Sequence, residues 1–138
     1  MGDRSNIVVM QDNNQSVWLY GHWMGEDAIK IVGEVLSRKQ RWNDAPYLTR
    51  MIFEQMIEGA YDKETGFGIS TAMQDNEYPI IILNPRTQEA WLEEYVWGSG
   101  ESKVITPVVS FEDIANACSF SRSYAELALA MGSELVVR

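Results

Sequence analysis

The sequence predicts an α+β fold: an antiparallel sheet with helices packed mainly on one face. Three observations carry that expectation. Short apolar or alternating runs of strand length recur from Asn6 to Val109. Two segments, Glu26–Ser37 and Pro46–Glu58, instead repeat apolar residues with the 3.6-residue period of a helix lying on a core. The resulting order, ββα-α-βββ(β)-αα, joins most neighbouring strands by turns rather than helical crossovers. One domain spanning residues 1–138 is expected, with a flexible break at 98–102. A chain of that length buries roughly 68% of its unfolded surface.

Asn6–Gln11 is apolar enough for a strand buried on both faces. Asp12-Asn13-Asn14 turns the chain, since these side chains bond their own backbone and tolerate left-handed geometry. Val17–Trp23 returns as the second strand of a hairpin. The first helix shows the stripe Ala28, Ile31, Val32, Val35 and Leu36, with Glu26 and Asp27 at its positive end and Arg38 and Lys39 at its negative end. Asp44 caps the second helix, and Pro46 fits its first turn. Its stripe is Leu48, Met51, Ile52, Gln55 and Met56, and Gly59 ends it. Tyr61–Thr65 is a polar loop. Gly66–Ala72, Tyr78–Leu83 and Glu89–Trp97 read as three strands of a meander, turning at Asp75-Asn76-Glu77 and Asn84-Pro85-Arg86-Thr87. Lys103–Val109 is a strand interrupted at Pro107. Ser110 caps a helix over Phe111–Cys118, with Asp113 at the third helical position, and Tyr124–Met131 is a short helix ended by Gly132.

Composition narrows the function. No stretch approaches the ~20 apolar residues of a membrane span, and Met1-Gly2-Asp3-Arg4 lacks the features of a signal peptide. Asn6 breaks the myristoylation pattern that Gly2 would open. A soluble, intracellular protein is expected. The net charge of −9 argues against a broad nucleic-acid surface, because phosphate neutralisation needs clustered cations. The nearest such cluster, Arg38-Lys39-Gln40-Arg41, reads as cations at a helix C-terminus. Cys118 is the sole cysteine, so no intrachain disulfide forms; with His22 the sole histidine, a zinc site would need carboxylates. No cofactor and no metal are expected.

The strongest site signal is Val17-Trp18-Leu19-Tyr20-Gly21-His22-Trp23. In an extended strand Val17, Leu19 and Gly21 face one way, toward a core, and Trp18, Tyr20 and His22 the other. The second face suits stacking on a flat ring, worth on the order of 1–3 kcal/mol per base. Trp42, Trp91 and Trp97 bring the tryptophans to five, more than a core of this size requires. Arg4, before the first strand, and Arg50, on the second helix, could fork onto a phosphate or carboxylate. Each residue also has a purely structural reading. His22 would be a bonded histidine between strand and helix, the aromatics a sheet face covered by helices, and the arginines partners of Asp3, Asp44 or Glu54. Gly66-Phe67-Gly68 lacks the third glycine and following helix of a phosphate loop. The sequence around Cys118, Asn116-Ala117-Cys118-Ser119, does not resemble a nucleophile turn.

Met1-Gly2-Asp3-Arg4-Ser5-Asn6-Ile7, Leu19-Tyr20-Gly21-His22-Trp23-Met24-Gly25, Arg41–Phe53 and Thr65-Gly66-Phe67-Gly68-Ile69-Ser70 resemble a group of small, uncharacterised bacteriophage and bacterial proteins. Members open with a similar Gly-Asp-Arg-Ala-Asn phrase and carry a Tyr-x-His-Trp-x-Gly segment; Gly21 stands where a hydroxyl residue is more usual. The resemblance covers roughly residues 1–83. It implies a phage setting in the host cytoplasm, where small acidic proteins disable host defences by binding a protein or sequestering a nucleotide signal.

Three readings follow. The first is a non-enzymatic protein that sequesters a small polar, nucleotide-derived ligand between the aromatic strand and the two N-terminal helices. Trp18, Tyr20 and Trp23 would stack, and His22, Arg4 and Arg50 would meet its polar groups. The second is an acidic protein-interaction module, oligomeric, that inhibits a host protein. The third is a small hydrolase using His22 with a carboxylate.

Overall fold

Residues Ser5–Met10 form strand β1, which lies inside the sheet, and this is why the run is apolar on both faces. The computed structural model describes residues 2–60, 66–96 and 98–133; the polar loop at 61–65 and Trp97 lie outside the described residues. Strand β2 (Ser16–Gly21) returns antiparallel along β1, with Ile7 opposite Leu19 and Val8 opposite Trp18. Asn14 takes a left-handed φ of 62° in the connecting turn. Helix α1 (Asp27–Ser37) buries Ala28, Ile29, Val32, Val35 and Leu36. Helix α2 (Ala45–Met56) begins where the Asp44 side chain accepts from Tyr47 N at 3.3 Å, and buries Leu48, Met51, Ile52 and Met56. Both helices are those predicted; of their expected stripes Ile31 and Gln55 are only partly buried, and Ile29 is buried in addition.

Strand β3 (Phe67–Ser70) pairs with β2. The chain then crosses to β4 (Ile80–Asn84), which runs parallel to β1, and β5 (Glu89–Val96) and β6 (Glu101–Val104) follow antiparallel. Strand β7 (Val109–Ser110) also pairs with β5, and the order is β3-β2-β1-β4-β5-β6. Helix α3 (Phe111–Phe120) is capped by Ser110 Oγ, which accepts from Asp113 N at 3.0 Å. Helix α4 (Tyr124–Ala130) is capped by Ser123. The architecture is the α+β class expected, a mostly antiparallel sheet of seven strands with four helices.

One expectation changes. The strands β3, β4 and β5 form no meander: β3 belongs beside β2, and β4 takes the place next to β1. Gly98–Gly100 lie between β5 and β6, where Val96 pairs with Glu101. Gly98 and Gly100 take positive φ of 85° and 73°, which glycine adopts without steric cost.

Strand pleating divides the sheet into two unlike faces. Ile7, Val9, Leu19, Ile81, Leu83, Ala90 and Leu92 share one core with the buried residues of all four helices. Val8, Ile80 and Ile82 point the other way, into a small cluster roofed by Met10, Trp18, Met73 and Trp91. In the helical layer α1 and α3 approach closely at Gly33, where a Cβ would stand 2.7 Å from Cys118 Cβ. A side chain at 33 must therefore push the two helices apart. Gly33→Val should lower stability by about 1–3 kcal/mol, as overpacked cores do; an unchanged denaturation midpoint would contradict this packing.

Candidate functional site

The face of the sheet turned away from the helices carries the aromatic and polar residues singled out above. On β1, Asn6, Val8 and Met10 point to it; register places Tyr20, Trp18 and Ser16 of β2 opposite them. On β4 and β5 the same parity brings Ile80, Ile82, Trp91, Glu93 and Glu89 to this side. One end of the face is apolar, the other polar.

At the polar end Asn6 is fully buried under the loop before β4, its Nδ2 donating to Asp75 O at 3.2 Å and to Asn76 Oδ1 at 3.1 Å. Arg4 reaches the same loop. Its backbone N donates to Glu77 Oε1 at 3.2 Å, and its guanidinium lies 3.6 Å from Glu77 and 3.9 Å from Asp75. Two carboxylates thus neutralise one cation. His22 Nδ1 sits 2.9 Å from the Tyr20 hydroxyl, and its ring meets Trp23 edge-on with centroids 4.5 Å apart. The backbone holds it from both directions: His22 N donates to Gly66 O and Asp3 N donates to His22 O, each at 2.7 Å. Gly2 passes so close that a Cβ there would stand 2.6 Å from His22 Nε2.

Behind this cluster lies a group that the sequence pattern did not reveal. Gly25 N donates to Asp3 O at 2.7 Å, and the Tyr78 hydroxyl donates to Asp3 Oδ1. Tyr78 stacks on Tyr124 with centroids 5.4 Å apart, and the buried Tyr124 hydroxyl donates to Gly25 O at 3.3 Å. Gly25 has φ of +48°, and a Cβ on it would fall 2.1 Å from Asp3 Oδ2, so glycine is required twice over. The bond to Asp3, with partial burial, pushes the Tyr78 phenol up to about 12; burial raises that of Tyr124.

At the apolar end Trp18 and Trp91 flank Val8, Ile80 and Ile82. Trp91 Nε1 donates to Glu93 Oε2 at 2.7 Å, and Ser102 Oγ donates to Glu93 Oε1 at 2.6 Å. Of the residues predicted to form a site, Arg4, Trp18, Tyr20 and His22 share this open face. Trp23 touches His22 from the turn after β2 and stays 58% exposed. His22 and Trp23 follow the strand rather than belong to it, because β2 ends at Gly21, where Met24 folds over the vacant side-chain position.

Two features lie elsewhere than the sequence predicts. No hollow separates the aromatic strand from the first two helices; Leu19, Ile7 and Val9 fill that space against Leu48, Ile52 and Val32. Arg50 lies in the helical layer, paired with Glu54 and stacked 4.3 Å from the Tyr47 ring centroid. A hollow of about 890 Å³ does exist between α1 and α3, lined by Lys30, Glu34, Arg38, Cys118 and Arg122, but none of the predicted site residues reaches it. There burial pushes the Cys118 thiol up to about 12, a poor nucleophile. Among the described residues no carboxylate bonds to His22, and no group of three or more His, Cys, Asp or Glu could hold a metal ion. No described helix is long and apolar enough to cross a membrane.

No protein-family model, curated protein or solved structure matches the chain. Its chemistry is read from its own residues. The raised phenols give a testable alkaline signature. The folded state holds the Tyr78 and Tyr124 protons more tightly than the unfolded chain, whose tyrosines titrate near 10. Their contribution is complete below pH ~10 and is lost as pH climbs toward about 12. Unfolding free energy should fall across that window, and less steeply in Tyr78→Phe; identical slopes would rule out the Tyr78–Asp3 bond as described.

Proposed function

We propose that this protein is a non-enzymatic interaction module whose open sheet face receives a basic segment of another protein. The observation that supports this is the make-up of that face: Trp18, Tyr20 and Trp91 stand among Asp75, Glu77, Glu89 and Glu93. Arg4 is the cation among them, and Asp75 and Glu77 already oppose it. Aromatic faces beside carboxylates suit lysine and arginine, which gain cation–π and ionic contact together. An extended pleated surface suits a macromolecule better than a small molecule, which binds best when enclosed. The net charge of −9 repels an anionic ligand at long range and steers a cationic partner inward. In the phage setting implied by the resemblance, that partner is a host protein whose basic surface normally meets nucleic acid.

A second reading keeps the small ligand, on the observation that Tyr20 and His22 bond to each other at the end of the face where Arg4 precedes β1. A nucleotide would there have to displace Asp75 and Glu77 from Arg4. Calorimetry with a lysine- and arginine-rich peptide, an acidic peptide and a nucleotide panel separates the two. The basic peptide should bind, more weakly as NaCl rises, and Trp91→Ala should cost roughly tenfold in affinity. Glu34→Gln, in the helical layer, should change little. Heat with a nucleotide, abolished by Arg4→Ala, together with no response to the basic peptide, would replace the interaction reading with the ligand one.

A further inference from the structure

We propose that two copies of this chain join through β3, edge to edge across a two-fold axis, into one continuous sheet. Strand β3 ends the sheet and, among the described residues, bonds along its backbone to β2 alone. Its side chains are poorly covered: Ile69 is 61% exposed and Phe67 36%. Trp23, 58% exposed, lies beside Gly66 at the start of the same edge. Such an edge is ordinarily guarded by charge, proline or a bulge, since its free amides and carbonyls are a template for another strand. Among the described residues this one has no such guard. Residues 66–74, Gly-Phe-Gly-Ile-Ser-Thr-Ala-Met-Gln, contain no charged side chain.

Charge selects the partner. Two molecules of −9 repel over most of their surfaces, and the neutral edge is where they can approach at least cost. A basic partner would gain nothing there. The opposite edge strand, β6, carries Glu101 and Lys103. Antiparallel self-pairing is isologous and closes at two subunits, so it leads to a dimer rather than a fibre. Pleating admits only registers in which each side chain keeps its own face. Centring the axis on Gly68 does so and sets Phe67 opposite Ile69 of the second copy, twice: an aromatic against a β-branched residue, the pairing that stabilises sheets. Gly68 brings no side chain to the axis. The open face with Trp18 and Trp91 is left free on both copies.

Sedimentation of the full chain from micromolar to submillimolar concentration tests this. The native chain should form a dimer that tightens as NaCl rises, opposite in sign to binding of a basic partner. Ile69→Lys, at an exposed position, should weaken the dimer roughly tenfold or more with unchanged circular dichroism. Val104→Lys, on the other edge, should leave it intact. Amide exchange in Phe67–Ser70 should slow as protein concentration rises, a readout that needs no variant. A chain monomeric throughout, a dimer indifferent to Ile69→Lys, or one abolished by Val104→Lys would overturn the proposal.

Discussion

Two backbone bonds, Asp3 N to His22 O and Gly25 N to Asp3 O, tie the first residues of the chain to the turn after β2. Both are 2.7 Å long, and the rest of the polar end is arranged around them. They fasten the segment before β1 to the turn after β2, beside Arg4, which reaches the loop at 75–77, and His22, which lies beside Tyr20. Glycine at 2 and 25 is the condition for so close an approach, since any side chain would strike His22 or the Asp3 carboxylate. The Asp3 carboxylate is in turn held by Tyr78, stacked on the buried Tyr124. The Gly-Asp-Arg opening and the His-Trp-Met-Gly segment are therefore two halves of one contact.

The sheet's two faces give the molecule its character. One is sealed by four helices around an apolar core. The other is partly self-roofed: Trp18, Trp91, Met10 and Met73 shelter Val8, Ile80 and Ile82 without helical cover. Indoles are suited to this, since each removes a large apolar area from water while its N–H can find an acceptor, as Trp91 does on Glu93. The acids around them keep a surface of this kind hydrated and limit non-specific association.

Local structure was legible in the sequence; long-range placement was not. The periodicity of α1 and α2, the caps at Asp44 and Ser110 and the β1–β2 hairpin all depend on residues within a few positions of one another, and all are found. The place of β3 depends on which edge is vacant once β4 has paired with β1, a choice between distant strands that no local pattern records. The alternation that set Trp18 and Tyr20 against Leu19 was correct, yet it could not say that the helices would all gather on Leu19's side. Arg50 was misplaced for the same reason: it flanks the apolar stripe of its helix, and whether that flank borders the aromatic face is a question of layer. The link from Asp3 to Tyr78 and Tyr124 joins positions 75 to 121 residues apart and leaves no signature in spacing.

Site-resolved amide hydrogen exchange bears most directly on the joined segments. If the terminal residues are locked onto the turn, the amides of Asp3, His22 and Gly25 exchange as slowly as those of Ile7 and Val9 and are released only with global unfolding. Rapid exchange at Asp3 and Gly25, with β1 still protected, would mean that the chain's beginning is loose and that Arg4 and His22 are not held together.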